Sequence, residues 1–223
     1  MIPQKAIRYV LAICCILLVS CNEVKPANEI KKTVNEITEK DKDEILQIRE
    51  DDVVLGNPDA VVKIIEYFSL TCYHCADFHR KILKPFKEEY IDKGIACYVG
   101  RLLPFDKQAL DGSILIKCAP KEQYHNFVKV LLEQQNNWVF SKDYKAILTQ
   151  IGQLGGVGAN RFKECLEDVT IKEKIIDNVR EASKLGINAT PEIYINGKSY
   201  ANTGNYQDFV KAVEAARKSS VDK

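Results

Sequence analysis

The sequence carries almost no surplus charge. Its 32 basic and 31 acidic residues leave a net charge of +1, which removes the electrostatic footprint expected of a nucleic-acid partner. A second Cys-x-x-Cys is missing, and so is any His-x-x-x-His. Cys72, Cys75 and His79 therefore offer three zinc ligands where a structural site takes four. The residue after the second cysteine is Ala76 rather than the histidine that c-type haem attachment requires. The glycine cluster Gly155-Gly156-Val157-Gly158 has no strand before it and no Lys-Ser/Thr after it, so it reads as a helix–helix connection and not a phosphate loop. Finally, the apolar run from Tyr9 to Val19 is too short to span a bilayer comfortably.

That run has another use. Lys5 and Arg8 precede it, and Leu18-Val19-Ser20-Cys21 closes it, so residues 1–20 read as an export signal. The close resembles a bacterial lipoprotein signal, which makes Cys21 the lipid-accepting residue; the alternatives are an ordinary secretory cleavage near Ser20 or an uncleaved anchor. Export places the rest of the chain where disulfides persist. Residues 21–52 are strongly charged, with only short apolar stripes at Ile30, Val34 and Ile37 and at Ile45 and Ile48. They read as a partly helical tether.

What the sequence does have is a cysteine pair in a telling position. Val61-Val62-Lys63-Ile64-Ile65-Glu66-Tyr67 is rich in β-branched and aromatic residues and predicts a buried strand. Beyond Cys72-Tyr73-His74-Cys75, the residues Phe78, Ile82, Phe86 and Tyr90 recur at helical spacing. The pair thus sits where a strand hands over to a helix. There, unpaired N–H groups and the positive end of the dipole favour a thiolate over a thiol. Cys72, on the outer edge of the turn, is the candidate nucleophile, and Cys75, one turn in, is its resolving partner.

With 46% hydrophobic residues the chain can build a core. Val53-Val54-Leu55 and Ile95-Ala96-Cys97-Tyr98-Val99 are further strands, the second parallel to the Cys-x-x-Cys strand, with Cys97 a buried, inert thiol. From 106 to 185 strand signals fade. Helical periodicity runs over Gln108–Cys118, Lys121–Gln135, Lys142–Leu154, Ala159–Leu166 and Lys172–Leu185, broken at Pro120, Asn136-Asn137 and the glycine cluster. Cys118 and Cys165 lie in this helical insert without local partners, and an exported location predicts a disulfide between them; two free buried thiols are the alternative. Strand character returns at Glu192–Ile195, followed by an Asn196-Gly197 hairpin turn and a last helix through Phe209, Val210, Val213 and Ala216.

Together these pieces resemble the DsbA-type thiol–disulfide oxidoreductases of the thioredoxin superfamily. The likeness rests on Glu66-Tyr67-Phe68 leading into Cys72-Tyr73-His74-Cys75, on Arg101 to Phe105 before the insert, and on Thr190-Pro191 before Ile193-Tyr194-Ile195-Asn196-Gly197. It implies an α/β thioredoxin fold, residues 53–105 plus 186–219, interrupted by an all-helical subdomain, 106–185. It further implies a cis peptide at Pro191 beside the cysteine pair, with Thr190 presenting its backbone to an extended substrate. His74 is implied to stabilise the Cys72 thiolate, and Glu66 to be a buried acid near Cys75; a strand-end glutamate reaching solvent is the other possibility for Glu66. Tyr73 stands where many members have proline, Thr190 where many oxidases have valine, and His79 where an acid is common. The implied activity is oxidation of unfolded exported proteins through the Cys72–Cys75 disulfide, with no other cofactor and no metal. The resemblance also implies a monomer in the bacterial periplasm or cell envelope, anchored through Cys21, and a quinone-linked membrane partner that reoxidises it. A disulfide isomerase or reductase, or a non-enzymatic surface lipoprotein or chaperone on the same scaffold, are the alternatives.

Overall fold

A computed structural model describes residues 37–201 and 204–221. The expected signal, residues 1–20, and Cys21 lie outside them. Helix α1 (Glu39–Ile45) is opened by Thr38, whose hydroxyl accepts the Asp41 N–H while the Asp41 carboxylate accepts the Thr38 N–H. Five strands form one mixed sheet: β1 (Val54–Leu55), β2 (Val62–Phe68), β3 (Ala96–Leu102), β4 (Glu192–Ile195) and β5 (Lys198–Tyr200), in the order β1-β3-β2-β4-β5. The central pair β2–β3 is parallel, with Glu66 opposite Gly100, and the other pairings are antiparallel.

The continuous apolar character of β2 follows from its place at the centre, covered on both faces. Val62 and Ile64 join one core with Phe78, Ile82, Phe86 and Phe209, while Ile65 and Tyr67 join another with Leu46, Val99 and Ala182. Strand alternation puts Glu66 on the same face as Ile64 and Phe68. That face is covered by the helical run carrying the cysteines: α2 (Tyr73–Phe78), a π-helical stretch (His79–Leu83), α3 (Lys84–Phe86) and a second π stretch (Lys87–Ile91). An α-helix repeats about every 3.6 residues, so the strict four-residue spacing of Phe78, Ile82, Phe86 and Tyr90 would drift around it. The wider π turns absorb that drift and also accommodate Pro85, which has no N–H to give. Phe78 and Phe86 both meet Phe209 edge-on, at 5.6 and 5.0 Å.

Between β3 and β4 come α4 (Lys107–Cys118), α5 (Tyr124–Glu133), α6 (Gln135–Trp138), α7 (Tyr144–Leu154), α8 (Ala159–Glu167) and α9 (Val169–Lys184). Their core gathers Leu115, Phe127, Leu131, Trp138, Leu148 and Phe162, and it reaches Leu70 and Cys75 at the end of the sheet. Cys118 and Cys165 are joined by a disulfide with Cα atoms 6.0 Å apart. The hairpin turn has positive φ at both Asn196 (46°) and Gly197 (77°), as a type I′ turn requires. The chain closes with α10 (Tyr206–Val221), burying Phe209 and Val213. The architecture is the expected α/β thioredoxin fold with a set of helices inserted between its third and fourth strands.

Two expectations need correction. The break foreseen at Asn136-Asn137 is instead the short helix α6, because Trp138, fully buried, and Gln135 anchor it by tertiary contacts. The charged stretch before residue 53 also packs on the domain over its last part: Leu46 is buried, and Asp52 is held by Arg49 and Arg101.

Candidate active site

Cys72 is the N-cap of α2, with extended backbone (φ −78°, ψ 116°), and its sulfur accepts the Cys75 N–H at 3.3 Å. The position is fixed by Phe68-Ser69-Leu70-Thr71, the turn that carries the chain off β2. From the helical insert, the Gln135 side chain donates to the Leu70 carbonyl at 2.7 Å and to the Cys72 carbonyl at 2.9 Å. Thr71 donates to the carboxylate of Asp106, which also caps α4. Thr190 and Pro191, joined by a cis peptide, approach from the loop before β4, and the Cys72 thiol donates to the Thr190 carbonyl at 3.2 Å.

The two cysteines, both free thiols, live in opposite environments. Cys72 is partly exposed. A hydrogen bond from the Cys75 thiol outweighs the penalty of burial and, with a hydrogen bond from the Thr190 side chain and the backbone amides of Cys75 and His74, pulls its pKa down to about 6. Cys75 is wholly buried; desolvation first, then Cys72 and the charge of Glu66, push its pKa far up. One sulfur is thus prepared to be an anion in water and its neighbour to be a thiol.

The other expected residues are placed as follows. The His74 contribution seen at Cys72 is its backbone N–H; the exposed ring meets Tyr73 edge-on at 6.0 Å. Tyr73 is 60% exposed and Phe105 56%, two aromatic rings at the surface on chain segments next to Cys72 and Asp106. A groove of about 470 Å³ runs beside the pair, lined by His74, Asp77, Lys81, Thr190 and Pro191. Glu66 does not reach solvent: it is fully buried, accepting from the Tyr98 hydroxyl at 2.5 Å and paired with His79 Nε2 at 2.9 Å. His79 turns inward to Glu66. Among the described residues no cluster of three or more His, Cys, Asp or Glu side chains is placed to hold a metal.

Sequence reasoning missed Gln135, which no motif marks. Its two amide hydrogens satisfy two carbonyls of the turn that holds Cys72, and Gln135 itself is 8% exposed. Replacing it with leucine, nearly the same shape, takes the Gln135 donor from the Leu70 carbonyl and leaves the Cys72 carbonyl with the Ala76 N–H. We expect a loss of about 2 kcal/mol in urea unfolding, with the midpoint moving and the slope unchanged.

A family model described as thioredoxin matches residues 49–215. The chain belongs to the thioredoxin family. It is 40% identical over 172 residues to a Rickettsia bellii protein named as a protein-disulfide oxidoreductase, covering 76% of this chain and 64% of that one. The chain therefore spans just under two thirds of that relative's own length. Disulfide bond formation protein D of Bacillus subtilis is 27% identical over 175 residues, 72% of this chain and 75% of that protein. Among solved structures, Wolbachia pipientis alpha-DsbA1 superposes with a TM-score of 0.72 at 32% identity, over 81% of this chain and 98% of that one.

Proposed function

We propose that the protein is an exported dithiol oxidase that donates a Cys72–Cys75 disulfide to cysteines of unfolded client proteins. The observation that carries this reading is the contrast between the two sulfurs: a pKa near 6 at partly exposed Cys72 beside a buried, strongly disfavoured thiolate at Cys75. A stabilised Cys72 thiolate stabilises the reduced protein, which raises the reduction potential and drives the disulfide outward. A client thiolate attacks Cys72, Cys75 leaves, and a second client thiol releases the product. Thr190 offers backbone to an extended client as an added strand, and the groove at Lys81 and Asp77 accommodates its side chains. Glu66, whose charge acts on Cys75, exchanges the proton that Cys75 gains on leaving. The Cys118–Cys165 disulfide supports an oxidising location. By the same reading a quinone-linked membrane enzyme restores the Cys72–Cys75 disulfide, and lipid on Cys21 holds the monomer to the cell envelope.

Equilibration of purified protein with glutathione tests the direction of electron flow. An oxidase poises well above thioredoxin's value of about −270 mV; a potential close to that value identifies a reductase instead. Refolding of a scrambled substrate, together with gel filtration, separates an isomerase from both.

A further inference from the structure

The chain holds three histidines, and only one of them links the buried carboxylate to the surface. We infer that His79 is the proton port of this site, a positioning residue that loads and unloads Glu66 from solvent as Cys75 changes state. The inference rests on the proposed exchange activity and deepens it.

The geometry is a tight triangle. Glu66 Oε2 is 2.5 Å from the Tyr98 hydroxyl and 2.9 Å from His79 Nε2, and those two groups are 3.2 Å apart. The other carboxylate oxygen, Oε1, is buried without a hydrogen-bond partner, an expensive arrangement for a group with no task. His79 and Cys75 are four residues apart on one helical run, so both face β2, where Glu66 lies. Of the triangle, Glu66 and Tyr98 are sealed in, whereas the His79 side chain retains 12% exposure.

The surrounding groups leave this role to His79. From β3, Tyr98 keeps its proton, since burial and then the Glu66 charge raise its pKa well above the usual phenol range. From α5, the His125 ring lies 6.3 Å from Tyr98 and donates to the Val53 carbonyl; burial holds its pKa down to about 4. Tyr124 of the same helix is buried and donates to the Gly100 carbonyl. From α10, Phe209 packs on Phe78 and Phe86 and brings no charge. On its own helical run, Asp77 is paired with Arg80 and Lys81.

The step balances. A client thiolate forms a bond to Cys72, the Cys72–Cys75 bond breaks, and Cys75 departs with the electron pair. The Glu66 carboxylic acid gives it a proton and becomes a carboxylate. The His79 imidazolium passes its Nε2 proton to that carboxylate, and the neutral ring takes one from water. The client sulfur is oxidised, Cys75 is reduced, and no further reactant enters.

Two measurements test this. In wild-type protein, NMR of the His79 ring should show a titration whose midpoint differs between disulfide and dithiol forms, because Cys75 and Glu66 change protonation together. His79→Gln keeps a hydrogen-bond donor but cannot carry a proton. It should slow reduction of the Cys72–Cys75 disulfide by dithiothreitol about tenfold or more and erase the inflection that coincides with the ring titration. A His79→Gln profile matching wild type in shape and within twofold in rate overturns the inference while exchange itself stands. So does a wild-type ring whose midpoint ignores redox state, a result that does not depend on how the variant folds. Wild-type protein that cannot pass its disulfide on overturns the activity and this inference together.

Discussion

Cys72→Ser should abolish the proposed disulfide transfer, lowering the rate of peptide-dithiol oxidation by roughly three orders of magnitude or more, to the buffer background. Cys75→Ser does something different: given an oxidised client, the Cys72 thiolate attacks the client's disulfide, one client thiolate leaves, and no neighbouring thiol resolves the mixed disulfide, so a covalent client adduct accumulates on a non-reducing gel. The asymmetry follows from position. Cys72 is partly exposed at the head of α2, and Cys75 is buried beneath it. Reaction of reduced protein with iodoacetamide should modify one sulfur, with a midpoint near the pKa of about 6 that the environment of Cys72 imposes. The sign for stability is fixed by the same shift. A thiol whose folded pKa is depressed stabilises the fold fully above its unfolded pKa of about 9, and loses that contribution as pH falls through about 6. The extra stability of the reduced form over the oxidised one should therefore shrink on acidification through this window. A Cys72 that reacts with an ordinary thiol midpoint, or a serine variant that still oxidises peptide, sinks the proposed activity.

Much of this was legible in the sequence because it was local. An unbroken apolar strand, Cys-x-x-Cys at its exit, Asn-Gly between two short strands and helical periodicity through the insert each depend on neighbours within a few residues, and each appears near its expected place. What escaped depends on partners far apart in the chain. Glu66, His79 and Tyr98 come from β2, the π stretch and β3, so the sequence left Glu66 between a buried acid and a solvent-reaching one and offered His79 as a stray zinc ligand. Gln135 reaches back to the Cys72 turn from the first position of a four-residue helix whose middle is two asparagines, residues that favour helices weakly; burial of Trp138 overrides that preference. The π turns were hidden for another reason: a four-residue apolar spacing looks like an α-helix unless its drift is counted.

Arg101 shows the same distance effect with the largest expected cost in stability. Opposite Tyr67 in the sheet and 1% exposed, it spends all five of its N–H donors. They go to both Asp52 oxygens (3.2 and 2.8 Å), the Ile45 and Gln47 carbonyls (2.6 and 2.7 Å) and the Tyr67 hydroxyl (3.0 Å). Asp52 is also held by Arg49, which reaches on to Asn178 and Glu181 of α9. Burial alone would raise the Asp52 pKa; the hydrogen bonds and charge of Arg101 bring it below the usual carboxylate range. This contribution is present above about pH 4 and lost as pH falls further. Arg101→Met removes the guanidinium and leaves a buried carboxylate and two carbonyls short of partners, so unfolding free energy should fall by about 3–5 kcal/mol. The thermal midpoint should drop by roughly 6–20 °C, at about 2–4 °C per kcal/mol for a chain of this size. Adding Asp52→Leu should recover part of the loss, since the stranded charge goes with it. The alkylation midpoint of Cys72 should stay near 6 throughout, because none of these groups is among those that set it. The contrast decides what residues 45–52 are. If they only trailed along the surface as a tether, Arg101→Met would cost little beyond its Tyr67 contact, and α1 and Leu46 would be as exposed to amide hydrogen exchange before the change as after it. Protection of that segment in the wild type, lost in the variant, makes it part of the fold.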